Sequence, residues 1–97
     1  MSETAEAPVR AEPEVRALIG RIVRELAPNP DGPEGSEGKL VEAFEYTSLA
    51  LLELAFTLED EFELPPIDEE AARKIIVVRD VEEHVVNGLR EHGRLAA

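Results

Sequence analysis

The chain has 97 residues and a formal net charge of −12. That length allows one domain, and that charge makes nucleic acid and anionic membranes poor partners. Cysteine is absent, which excludes disulfides, thiolate metal sites and cysteine nucleophiles and fits a cytoplasmic, reducing setting.

Residues 1–11 are small and polar and read as a flexible N-terminal arm; they contain no apolar run of the kind a signal peptide needs, and no stretch of the chain approaches the roughly 20 apolar residues of a membrane span. A single domain is expected over 12–92, with a tail over 93–97. The first helix is predicted over 13–27. Val15, Leu18, Ile19, Ile22, Val23 and Leu26 recur at the period of one helical face. Pro13 suits a first turn, and Pro28 stops the helix.

Residues 28–47 form a long connection. Its first half is dense in Pro and Gly and cannot continue a helix. Its second half carries Leu40, Val41, Ala43, Phe44 and Tyr46, which are expected to fold back onto the core. Connections this long in a small domain are often functional. A second helix is predicted over 48–64, capped by Thr47 or Ser48 and stopped by Pro65-Pro66. A short third helix is predicted over 68–75 with Asp68 as its cap. The fourth is expected to start after Asp80 as N-cap, to turn Val81, Val85 and Leu89 inward, and to close at Gly93. The fold class is therefore all-α, a four-helix bundle with one long loop and a short third helix. Leu, Val, Ile and Ala dominate the apolar set, and the chain has only three Phe, one Tyr and no Trp, a composition that suits packed helices better than a sheet.

From residue 40 to residue 72 there is no Lys or Arg but there are ten acids. Such a surface is either a solubilising face or a docking face for basic partners. Within it, the second helix has two sides. Leu51, Leu54, Ala55, Leu58 and Phe62 share one face at 100° per residue and should pack inward. Glu53, Asp60 and Glu63 lie on the opposite side, and Leu49 and Phe56 fall among those acids, two turns apart. An apolar pair rimmed by carboxylates resembles the centre and rim of a binding site; the alternative is that the loop or the third helix covers it.

Ser48-Leu49, followed by Glu53-Leu54, Leu58-Glu59-Asp60-Glu61 and Phe62, resembles the acyl carrier protein family, whose signature is Asp-Ser-Leu and then a helix of the form ELxxxLEEEF. Asp68-Glu69-Glu70-Ala71 and Ile76-Val77-Val78-Arg79-Asp80-Val81 are similar to that family's entries to its third and fourth helices. The resemblance spans roughly residues 13–90. It implies that Ser48 carries covalent 4′-phosphopantetheine, installed from coenzyme A by a phosphopantetheinyl transferase. It also implies that acyl groups ride on that arm as thioesters in fatty acid or secondary-metabolite biosynthesis, and that Leu49, Glu53, Phe56, Glu59 and Asp60 meet acyl-transfer or synthase enzymes through their basic docking patches. A monomer is expected. The chain departs from the family pattern at Thr47, where the family has Asp, and at Glu45-Tyr46, Ala50 and Val77, which points to a specialised carrier.

No enzyme is expected. A serine nucleophile needs a base and an orienting group, but the only histidines, His84 and His92, sit eight residues apart with no third ligand or triad partner in view. The acids between 59 and 70 lack the spacing and glycine of an EF-hand, so no metal site is expected. The reading from a different class is an unmodified acidic helical adaptor that docks basic proteins.

Overall fold

A computed structural model describes residues 9–96. It shows four helices, α1 (Glu12–Leu26), α2 (Ser48–Phe62), α3 (Glu69–Arg73) and α4 (Val78–Glu91). No strand is present among the described residues, where Arg10 with Leu95 and Lys39 with Val77 form isolated bridges. The expected arm over 1–11 falls mostly outside the described residues.

α1 packs against both α2 and α4, and α2 against α4. The core is built from the predicted stripes: Val15, Ile19, Ile22 and Val23 of α1, Leu54, Leu58 and Phe62 of α2, and Val81, Val85 and Leu89 of α4. On α2 the buried row also takes in Ala50, while Leu51 and Ala55 are half-buried at its edge. Pro13 occupies the first turn of α1 with Glu12 and Glu14, and Arg24 lies in its last turn, which suits the helix dipole at both ends. Ala27, before Pro28, is already extended, as a pre-proline residue prefers.

The long connection is an ordered strap. Leu40, Phe44 and Tyr46 are buried and Ala43 packs against the core. Val41 does not fold back: it is 59% exposed, because the turn at 40–44 points Leu40 and Phe44 inward and leaves Val41 and Glu42 outside. The Arg24 guanidinium binds the carbonyls of Pro30, Gly32 and Pro33 and lies 5.4 Å from the Phe44 ring centre. Gly32 and Gly38 flank that ring so closely that a Cβ on either would stand 2.6 or 2.7 Å from it. Asn29 fastens the far end, with its backbone N–H on Phe44 O and its side-chain amide on Ala43 O, both at 3.0 Å.

Helix boundaries differ from the sequence reading: α1 is shifted by one residue, and α2 ends at Phe62, two residues before the predicted Leu64, with Glu63 as a left-handed C-cap. α3 ends two residues earlier than predicted, at Arg73, though Asp68 does cap it, accepting from the Ala71 N–H at 2.7 Å. α4 starts at Val78, so Asp80 is its third residue and not its N-cap. Its carboxylate reaches back to the N–H groups of Ile76 (2.8 Å) and Val77 (3.0 Å). This is the acidic half of a capping box, working with a valine where a hydroxyl residue would normally stand.

The two ends of the described residues meet at the C-terminal end of α2. Arg10 N–H donates to Arg94 O at 3.0 Å and Ala96 N–H to Arg10 O at 2.8 Å. Arg94 binds the carbonyls of Phe62 and Glu63. Arg10 stacks 4.9 Å over the Phe62 ring and binds Glu61. Two cations thus face the negative end of α2, where the helix itself supplies none.

Candidate functional site: the exposed start and face of α2

α2 begins with a division of labour between two hydroxyls. Thr47 is extended, and its Oγ1 accepts from the Ala50 N–H at 3.1 Å. It is therefore the cap, and Ser48 is not needed for that task. Ser48 is the first helical residue and is exposed, and its hydroxyl has no hydrogen-bond partner among the described residues. The first turns of α1, α3 and α4 carry acids; that of α2 carries none. Its partial positive end is left open to an anionic group attached at Ser48.

Behind Ser48, the chain is held to the bundle by Tyr46. This residue is 3% exposed, and its hydroxyl donates to the Val23 carbonyl of α1 at 2.6 Å. Burial pushes the phenol up to about 12. Glu45, just before it, adopts the left-handed backbone region with φ 59°, a conformation that a residue with a side chain rarely takes.

Leu49 and Phe56 are uncovered, at 66% and 59% exposure, so neither the strap nor α3 lies over them. Leu52, at 50%, joins them. The sequence reading did not single it out, although three residues separate it from Leu49 and four from Phe56, the spacing of neighbours on one helix face. Glu53 and Asp60 are exposed alongside. Glu59 is only partly exposed, and its Oε2 accepts from the Ile67 N–H at 3.3 Å. It ties down the α2–α3 connection, and the structure places it beside the exposed stripe and not within it.

On the other side of α2, an apolar cavity of about 140 Å³ lies between α2, α3 and α4. Leu54, Leu58, Leu64, Ile75 and Val85 line it, and Glu59 and His84 are its only titratable neighbours. Leu51, three residues beyond Ser48, also faces it. Among the described residues no group of three or more His, Asp or Glu is placed to hold a metal ion, and no helix is long and apolar enough to cross a membrane.

No family profile and no curated protein sequence matches the chain. Solved structures do. An acyl carrier protein from Thermotoga maritima matches with 26% identity and a TM-score of 0.67, over 84% of this chain and 93% of that one. A putative acyl carrier protein from Mycobacterium tuberculosis matches with 34% identity and a TM-score of 0.55, over 76% of this chain and 92% of that one. With a four-helix fold in common, and 34% identity over 92% of that mycobacterial structure, the chain belongs to the acyl carrier protein family.

Proposed function

We propose that the protein carries acyl groups as thioesters on 4′-phosphopantetheine attached to Ser48 and presents them to partner enzymes. The observation that carries this reading is the free, exposed Ser48 hydroxyl at a helix start already capped by Thr47. The residues fit the group: α2 offers N–H groups and no competing acid in its first turn, so a phosphodiester there is stabilised without displacing an internal contact. In loading, the Ser48 Oγ forms a bond to the β-phosphorus of coenzyme A. The bond from that phosphorus to the adenosine bisphosphate breaks, and the serine proton passes to the transferase. When bound, the group supplies a terminal thiol; the protein supplies presentation and recognition.

The cavity between α2, α3 and α4 supports an acyl cargo. It is close in volume to a cavity that admits a benzene-sized guest, about 150 Å³, and its lining is almost wholly apolar. The exposed Leu49, Leu52 and Phe56 with Glu53 and Asp60 form an apolar centre with an acidic rim, which suits enzymes bearing a small apolar seat edged by basic residues. Glu59 serves that surface indirectly, by fixing the connection to α3.

The test is an intact mass spectrum after incubation with coenzyme A and a broad-specificity phosphopantetheinyl transferase. One phosphopantetheine adduct on the wild type and none on Ser48→Ala is expected. A folded protein that several transferases leave unmodified would overturn the reading in favour of an unmodified adaptor that docks basic proteins through α2.

A further inference from the structure

Residues 44–48 make a sharp passage from the strap into α2, and its least comfortable point is Glu45. A glutamate at φ 59° persists only where its surroundings fix it. Its own side chain does not: Glu45 is exposed, with no hydrogen bond or ion pair among the described residues. The fixing groups are therefore its neighbours. On one side, Phe44 is buried against Gly32 and Gly38 and receives the Asn29 N–H. On the other, Tyr46 is held twice, by its backbone N–H to Leu40 O at 3.0 Å and by its hydroxyl to Val23 O at 2.6 Å. The hydroxyl bond ties residue 46 itself to α1, 23 residues back in the chain, beside the Arg24 contact on the Phe44 ring. Immediately after it come Thr47, the cap, and Ser48.

We infer that the Tyr46 hydroxyl is a positioning group for the modification of Ser48: by fastening residue 46 to α1 it holds Glu45 in its left-handed conformation and fixes the bend from which the Ser48 hydroxyl is presented. The inference rests on the carrier reading. It assigns Tyr46 no contact with cofactor or enzyme. The exposed stripe that a transferase would grip, Leu49 to Phe56, follows the bend and is not touched by the phenol. Loosening the bend should therefore slow the transfer step and leave the encounter unchanged.

The experiment measures initial rates of phosphopantetheine loading, by intact mass, for wild type, Tyr46→Phe, Glu45→Gly/Tyr46→Phe and Glu63→Gly/Tyr46→Phe, with circular dichroism to hold every sample well below its thermal midpoint. Tyr46→Phe keeps the buried ring and loses one hydroxyl. Its kcat is expected to fall about fivefold, the scale of one lost buried hydrogen bond, with KM for the carrier unchanged. Glu45→Gly should restore kcat, because glycine adopts positive φ without being held there. Glu63, at φ 53° at the far end of α2, is the control: Glu63→Gly relieves similar backbone strain and should restore thermal stability without restoring kcat.

Tyr46→Phe loading at the wild-type rate, a change in KM alone, or equal rescue by both glycines would overturn the inference and leave the carrier reading standing. A wild type that no transferase loads would remove the carrier reading and this inference with it. Were Tyr46→Phe alone unfolded, the comparison is read between Glu45→Gly and Glu45→Gly/Tyr46→Phe. Equal loading supports the inference, and slower loading of the double variant overturns it.

Discussion

The Arg16 guanidinium on α1 lies 2.8 Å from the carboxylate of Glu82 on α4, and the same carboxylate accepts from the Ser36 hydroxyl of the strap at 2.7 Å. One side chain, 7% exposed, thus joins α1, α4 and the strap that leads from α1 to α2. The two partners are unequal. Arg16 is part-exposed and also binds Glu12 and Glu83, and these hydrogen bonds hold its protonated form well above the usual arginine range. Glu82 has no second cation among the described residues. Arg16→Met, which strands a buried carboxylate, should cost about 3 kcal/mol. Glu82→Met, which leaves the arginine two acids and water, should cost about 1 kcal/mol or less. Urea unfolding of both variants checks the order; a Glu82→Met cost equal to or above that of Arg16→Met would show that the carboxylate is not the stranded member.

The only tyrosine is also the buried one, and with no Trp in the chain the phenol can be followed without overlap. Its pKa is raised in the folded state, so the folded protein retains a proton that the unfolded chain gives up. The stabilisation from neutral Tyr46 is complete below the unfolded value near 10 and is lost as pH rises through about 12. Phenolate absorbance should rise with a midpoint about 12 in the native protein and about 10 in urea. Coincident midpoints would mean that the ring is open to water.

Thr47 and Ser48 are adjacent hydroxyl residues with opposite expected behaviour. Thr47→Ala removes the cap on Ala50 and should cost about 1 kcal/mol. Ser48→Ala removes a hydroxyl that makes no internal bond and should leave the thermal midpoint almost unchanged while abolishing loading. A destabilisation of Ser48→Ala as large as that of Thr47→Ala would mean that the serine is part of the cap.

Much of this was legible in the sequence because it depends on local repetition. The stripes of α1 and α4 recur at helical period, and Pro28 follows directly on the end of α1, whereas α2 stops at Phe62, short of Pro65-Pro66, on a left-handed Glu63 that nothing local announces. Ser48 and the acidic helix after it keep their spacing. What escaped depends on contacts between distant residues or on a missing signal. Nothing local says that the Tyr46 hydroxyl will find a carbonyl of α1. Glu45 takes a backbone conformation usually announced by Gly or Asn, so it gave no cue. Asp80 was placed one turn wrong because Val77 offers no capping hydroxyl; an acid three residues on was the only trace of the true start. Glu82 could have been found, since it stands four residues after Val78 and four before Val86, on the buried face.

Docking through α2 has its own signature. Glu53→Lys with Asp60→Lys changes only exposed side chains, so helicity and midpoint should hold. Affinity for a basic partner enzyme should fall about tenfold or more, and the remaining binding should lose most of its dependence on salt. Titrations at two ionic strengths check this; unchanged affinity and salt slope would place the docking surface elsewhere.

The seam between Arg10 and Leu95 closes a loop of almost the entire described chain, using two backbone hydrogen bonds and a pair of guanidinium contacts at the end of α2. Closing so long a loop costs more entropy than any helix contact, so the seam should be the last part to form and the first to fray. Its amides, Arg10 and Ala96, should exchange with solvent while those of the core helices remain protected. The fraying happens at the Phe62 end of α2, about 22 Å along a 15-residue helix from Ser48. The seam can open and close without disturbing the serine.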